Sequence, residues 1–260
     1  MRSLVARGGQ GELAVRLYES PGPSAGLLVF FPPGGFVQDL LDDIDPFVRA
    51  LALRTNLKVL ATSYTLAREA PFPAAAEDAH AVLNWSVKNR VLLGWDGRQL
   101  VVAGIEAGGN LAAVASLMAN DRDEPEIAAQ ILITPMLDPG LSTCSMRAMV
   151  AGDDGAVVAD ACALYYRSYI KHASDRIHPY ASPLQSTRLK GLPRTLILSA
   201  EDDALRDEAD GYCEKLVSNG VAAQVIRMPA MHLQNPTDRC DGMRIDIALN
   251  AISTFLKALP

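Results

Sequence analysis

Six short apolar runs, at residues 27–31, 58–62, 99–103, 131–134, 195–199 and 223–228, recur along this chain of 260 residues, with helical patterns between them. Apolar segments of this length, bounded by polar or turn residues, read as strands buried on both faces. Strands that alternate with helices pack as a mostly parallel, twisted sheet with helices on both faces, so the expected class is α/β. Leu13, Val15 and Leu17 alternate with more polar neighbours and predict one further, half-exposed strand at the start of the sheet. With 49% apolar residues the chain can bury one large core, and a single domain over residues 1–260 is expected. In open sheets of this kind a ligand site lies beyond the carboxyl ends of the strands.

The third run leads into Gly104, Ile105, Glu106, Ala107 and Gly108, and Leu111 to Met118 then reads as a helix without a breaker. This is the frame of a nucleophile elbow, G-x-S-x-G, in which a sharp strand-to-helix turn holds the central side chain out at the top of the sheet. Here the central residue is Glu106, not serine. Taken alone, the frame is equally the mark of an ordinary, tightly packed turn.

Other segments add context. The run at 27–31 enters Pro32, Pro33, Gly34, Gly35 and Phe36, whose position and form match the His-Gly-Gly-Gly loop that supplies oxyanion N–H donors. The stretch from Leu66 to Asp78 is close to R-L-A-P-E-x-P-F-P-A-A-x-x-D, and that from Asp203 to Glu208 is close to D-P-L-R-D-E. In this order, with the elbow between them, these segments resemble the hormone-sensitive-lipase branch of the α/β-hydrolases, often called fold 3, over nearly the whole chain. The resemblance implies an α/β-hydrolase fold with a reduced cap. It assigns the acid to Asp203, the histidine to His232, the nucleophile position to Glu106, and the oxyanion donors to Gly34, Gly35 and Ala107. Pro32 and Pro33 replace the first His-Gly of the loop, but proline has no N–H and these positions are not the expected donors. After His232 the chain continues Leu233, Gln234, Asn235, Pro236 where the family usually has Gly-Phe, so a different course for the histidine loop is expected.

Three chemistries are open to Glu106. It can serve as a carboxylate nucleophile, as the aspartate does in epoxide hydrolases and haloalkane dehalogenases of this fold. It can pair with His232 as acid and base for elimination or hydration. Or it can fold into the oxyanion hole, leaving a non-catalytic binder or a degenerate esterase. In every case it is expected within hydrogen-bonding distance of an oxyanion N–H or of His232, because an unpaired buried carboxylate is costly.

Residues 138–182, with Met146, Met149, Tyr165, Tyr166 and Tyr169, lie between two core strands and read as the remaining cap segment. The part of the cap that the family builds ahead of the first strands is expected to be missing. The aromatic and methionine residues either line a pocket or, as apolar positions at helical spacing usually do, pack the cap on the core. A formal charge of −6 without a Lys/Arg block argues against nucleic acid and anionic membranes, so the expected partner is a small molecule, with self-association left open. The first residues lack the apolar core of a signal peptide, which predicts a cytoplasmic protein. Cys144, Cys162, Cys213 and Cys240 have no C-x-x-C spacing and are expected as free thiols. His80, His172 and His178 lack metal-ligand spacing, and neither metal nor cofactor is assigned. Asp42, Asp43 and Asp45 read as a solvated turn, with Asp45 a candidate helix cap ahead of Pro46.

Overall fold

The computed structural model describes residues 1–19, 24, 26–151, 156–232 and 244–259. Among these, eight strands form one sheet: β1 (Arg2–Arg7), β2 (Glu12–Tyr18), β3 (Leu27–Phe31), β4 (Lys58–Thr62), β5 (Leu100–Ile105), β6 (Ala129–Ile133), β7 (Arg194–Ala200) and β8 (Ala223–Met228), in the order β1-β2-β4-β3-β5-β6-β7-β8. The pairs β1/β2 and β2/β4 are antiparallel and every other pair is parallel. The α/β reading is correct, and the strand order makes this the α/β-hydrolase fold. The addition is β1. Its burial pattern leaves only Ala6 inside, and an edge strand with one neighbour needs no apolar run to announce it.

Successive residues of the central strands feed opposite cores, as the two-residue period of a strand requires. Leu27, Val29 and Phe31 face one core while Leu28 and Phe30 face the other. The first core is covered by α2 (Ala74–Lys88), α4 (Ala107–Arg122) and α7 (Arg206–Ser218); the second is covered by α1 (Asp45–Thr55) and α8 (Ile245–Lys257). The short α3 (Arg90–Leu93) follows α2. Every residue of α4 from Ala107 to Ala119 is buried, and its many alanines and glycines let it lie close against the sheet.

Asp45 is not the cap of α1 but its first residue, behind Ile44. Its carboxylate is used sideways, accepting the Tyr18 hydroxyl at 2.7 Å and pairing with Arg49. Between β6 and β7 lie α5 (Cys144–Ala151) and α6 (Ala156–Tyr169). Met146, Tyr165, Tyr166 and Tyr169 are buried in the first core, with Met149 packed at its margin, so the packing alternative describes these residues. Tyr169 stacks on Phe36 with ring centroids 3.9 Å apart and meets Phe72 edge-on at 5.7 Å. Cys144, Cys162 and Cys213 are free thiols, whereas Cys240 and the 233–236 segment lie outside the described residues. Among the described residues, no helix is long and apolar enough to cross a membrane.

Candidate functional site

β5 ends at Ile105, and α4 begins at Ala107; the single residue between them, Glu106, has φ 56° and ψ −112°. A positive φ is an outlier for glutamate, and it persists because the surroundings over-determine it. Glu106 N–H donates to Ile133 O at 3.0 Å, and its carbonyl accepts from Met136 N–H and Asn110 N–H, both at 3.1 Å. The flanking glycines are a steric requirement. A Cβ on Gly104 would lie 2.0 Å from Gly108 O, and one on Gly108 would lie 2.0 Å from Phe31 O. Backbone contacts of this kind leave a side chain nowhere to go.

β3 runs into the second part of the site. Gly34 and Gly35 have φ of 126° and 57°, and the turn is closed by Val37 N–H and Gln38 N–H, each donating to Gly34 O at 2.9 Å. This course turns both glycine N–H groups onto one atom. Gly34 N–H and Gly35 N–H donate to Glu106 Oε2 at 2.9 and 3.0 Å. Ala107, the third expected donor, is the first residue of α4 and is buried. Glu106 itself is only 1% exposed. Burial pushes the Tyr64 hydroxyl well up, and the nearby negative charge of Glu106 adds to it. That hydroxyl donates towards Pro32 O and Pro33 O, bracing the loop beneath the glycines. From above, the ring of Tyr165 in α6 covers Gly35 so closely that a Cβ there would fall 2.1 Å from it.

The residues expected as acid and histidine, Asp203 and His232, follow β7 and β8. Asp203 is 1% exposed, and its Oδ1 accepts Leu205 N–H at 3.0 Å, closing the turn into α7. His232 has φ 52° and a side chain 88% exposed. Its backbone N–H donates to Asp202 Oδ2 at 2.7 Å, Met231 N–H donates to Asp202 Oδ1 at 2.8 Å, and the ring Nδ1 lies 3.8 Å from Asp202 Oδ2. The structure therefore gathers Gly34, Gly35, Glu106 and Ala107 in one buried place and sets the His232 ring at the surface beside Asp202. Tyr64 and Asp202 were not singled out from the sequence, and Tyr165 was expected there only as a cap residue that lines a pocket or packs on the core. Asp202 is the middle acid of Glu201, Asp202 and Asp203, and spacing alone does not say which one a distant histidine meets.

The remaining histidines have other settings. His80, in α2, is buried with Nε2 3.1 Å from Glu124 O, and that burial lowers its basicity. His172 and His178 are exposed, the latter packing on Phe72 and Tyr180.

A mostly parallel sheet whose strained strand-to-helix residue faces a glycine loop defines a hydrolase-type α/β protein. Residues 28–233 match the family described as the alpha/beta hydrolase fold. Carboxylesterase NlhH of Mycobacterium tuberculosis is 33% identical over 227 residues, covering 86% of this chain and 71% of the relative. An ethyl acetate hydrolase of Pseudomonas putida is 32% identical over 234 residues, covering 88% of this chain and 73% of that protein. The solved hyperthermophilic esterase of the archaeon Pyrobaculum calidifontis superposes with a TM-score of 0.88 at 33% identity, over 99% of this chain and 84% of that one. This chain belongs to the α/β-hydrolase family, in its esterase-like, hormone-sensitive-lipase branch.

Proposed function

We propose that this protein is an esterase-like hydrolase with a small-molecule site centred on Glu106, which stands where such enzymes carry their serine, and that it does not cleave esters by the serine route. The observation that carries this reading is the pair of bonds from Gly34 and Gly35 to Glu106 Oε2 at 2.9 and 3.0 Å. By resemblance those N–H groups, with Ala107, form an oxyanion hole, and they receive the chain's own carboxylate. Hydrogen bonds to an ionised acceptor are roughly twice as strong as neutral ones, and the N-terminus of α4 adds a favourable field. An uncharged ester carbonyl does not compete with such an occupant. Loss of the serine alone costs on the order of 10⁶ in kcat in serine hydrolases.

Two ways of working follow. As a nucleophile, the carboxylate attacks an electrophilic carbon such as that of an epoxide or alkyl halide; the carbon–heteroatom bond breaks, a glutamyl ester forms, and water directed by His232 with Asp203 hydrolyses it. As a binder, the site holds its ligand without turnover, a reading favoured by the 1% exposure of Glu106. The acid/base alternative is the weakest, since Oε2 is already committed to two donors.

The test compares Glu106→Ser and Glu106→Gln with the parent on short-chain aryl esters. The serine variant regains a hydroxyl and an open hole together, and should exceed both others by roughly 10²-fold or more. A parent protein that matches the serine variant would overturn the reading. Incubating the parent with an epoxide in ¹⁸O-labelled water separates the nucleophile from the binder: label enters the Glu106 carboxylate over repeated turnovers only in the first case.

A further inference from the structure

At the far end of α4 from Glu106, a buried histidine joins two helices in a way that only one protonation state allows. His80 lies in α2 and is 5% exposed. Its Nδ1 is 3.1 Å from Arg122 Nη1 in the last turn of α4, and its Nε2 is 3.1 Å from Glu124 O in the turn beyond. A guanidinium can only donate and a carbonyl can only accept, so Nδ1 offers its lone pair to Arg122 while Nε2–H donates to Glu124 O. Arg122 also donates to both oxygens of Glu77, at 3.1 and 2.9 Å, so one guanidinium serves two residues of α2 that lie one turn apart. Asn84 Nδ2 stands 3.4 Å from Nδ1. The charged groups facing the ring are Glu77 on its own helix, Arg122 on α4 and Glu124 after it.

We propose that His80 is an acid-released latch, which ties the last turn of α4 to α2 while its ring is neutral and lets go when Nδ1 takes a proton. That proton removes the lone pair that Arg122 uses and sets two cations against each other at hydrogen-bonding distance. Glu77 offsets part of the repulsion, but it is already engaged by the same guanidinium and is partly exposed. Burial is the main reason the ring resists the proton; the bond to Glu124 O works against it, and the charge of Arg122 adds to it. The unfolded chain takes up this proton near pH 6.5 and the folded chain only at lower pH. The latch therefore contributes fully above about pH 6.5, and its contribution drains away as pH falls towards the folded midpoint.

The experiment follows the ring itself by NMR in ¹⁵N-labelled full-length protein, with His80 assigned by its loss in His80→Gln. Above neutral pH the ring should be Nε2–H, and it should titrate below a free histidine. Arg122→Gln should move that midpoint up and Glu77→Gln should move it down, opposite signs that burial alone does not produce. The Glu124 amide donates to Ala119 O at 3.0 Å, and its exchange, relative to the intrinsic rate, should speed up by roughly tenfold as pH falls through the midpoint. His80→Gln keeps a donor for Glu124 O and does not titrate, so this step should vanish, while the response of every other acid cancels in the comparison. An Nδ1–H ring in the unmutated protein, a measurement needing no substitution, overturns the proposal. So does a midpoint indifferent to both Arg122 and Glu77, or an exchange step that persists in His80→Gln. A ring that titrates with no change at Glu124 would overturn it too, leaving His80 a packed residue and no latch.

Discussion

Glu106 combines a strained backbone, nearly complete burial and two N–H bonds, and the turns that hold it are built on glycines whose Cβ positions would fall on neighbouring atoms. A fluorophosphonate probe, which needs an activated serine, should leave the parent unlabelled and label the Glu106→Ser variant at position 106; labelling of the parent at any serine would remove the case for a displaced nucleophile. Gly35 carries the loop's tightest steric demand. Gly35→Ala places a methyl 2.1 Å from the Tyr165 ring at a φ of 57°, so a loss of about 2–3 kcal/mol is expected in denaturant unfolding. In a Tyr165→Ala background the same substitution should cost at least about 1 kcal/mol less, since the two changes share one contact. Additive costs in that double-mutant cycle would show that the ring does not rest on the glycine. The places of Gly34, Gly35 and Glu106 in their turns were legible because motif spacing encodes a local turn. The contact between Asp202 and His232 was not, because it depends on where a loop 30 residues away comes to rest.

The first turn of α7 holds another buried carboxylate, Glu208, with a different consequence. Glu208 Oε2 accepts Leu137 N–H and Asp138 N–H at 2.6 and 2.9 Å, tying the segment after β6 to α7. Burial is the main reason its acidity falls, pushing the pKa up to about 8, with the charges of Asp138 and Asp203 adding to it. Between the ordinary glutamate value and about 8 the folded chain holds a proton that the unfolded chain has released, so stability falls as pH rises through this window. Glu208→Gln should flatten that decline and unfold later than the parent at pH 8; a parallel decline in both proteins would refute the protonated state. α6 offers a companion case. The Tyr166 hydroxyl is fully buried and makes no hydrogen bond among the described residues, so Tyr166→Phe should be neutral or stabilising by up to about 1 kcal/mol. A loss above 1 kcal/mol in thermal unfolding would reveal a partner for that hydroxyl. Helical spacing placed these tyrosines on the core side correctly, yet no pattern in the chain says that a hydroxyl buried there goes unanswered.

One sheet runs through the chain from β1 to β8, and each of its central strands serves both cores, so the two faces cannot come apart separately. Unfolding followed by far-UV circular dichroism and by fluorescence of Trp85 and Trp95 should therefore give coincident transitions. A separate early transition would mean that residues 138–182, which join β6 to β7, unfold as an independent unit. The primary structure by itself determined the class of fold, the order of the site segments and the identity of the residue at the strained turn, because those follow from short-range periodicity and from turns that only particular residues can make. Tertiary structure decided the rest: that β1 joins the sheet edge, that Gly34 and Gly35 turn their N–H groups onto the same glutamate oxygen, that Tyr165 closes over them, and that His232 settles against Asp202. Each of these is a meeting of segments far apart in the chain, fixed by packing and hydrogen-bond geometry that no local pattern carries.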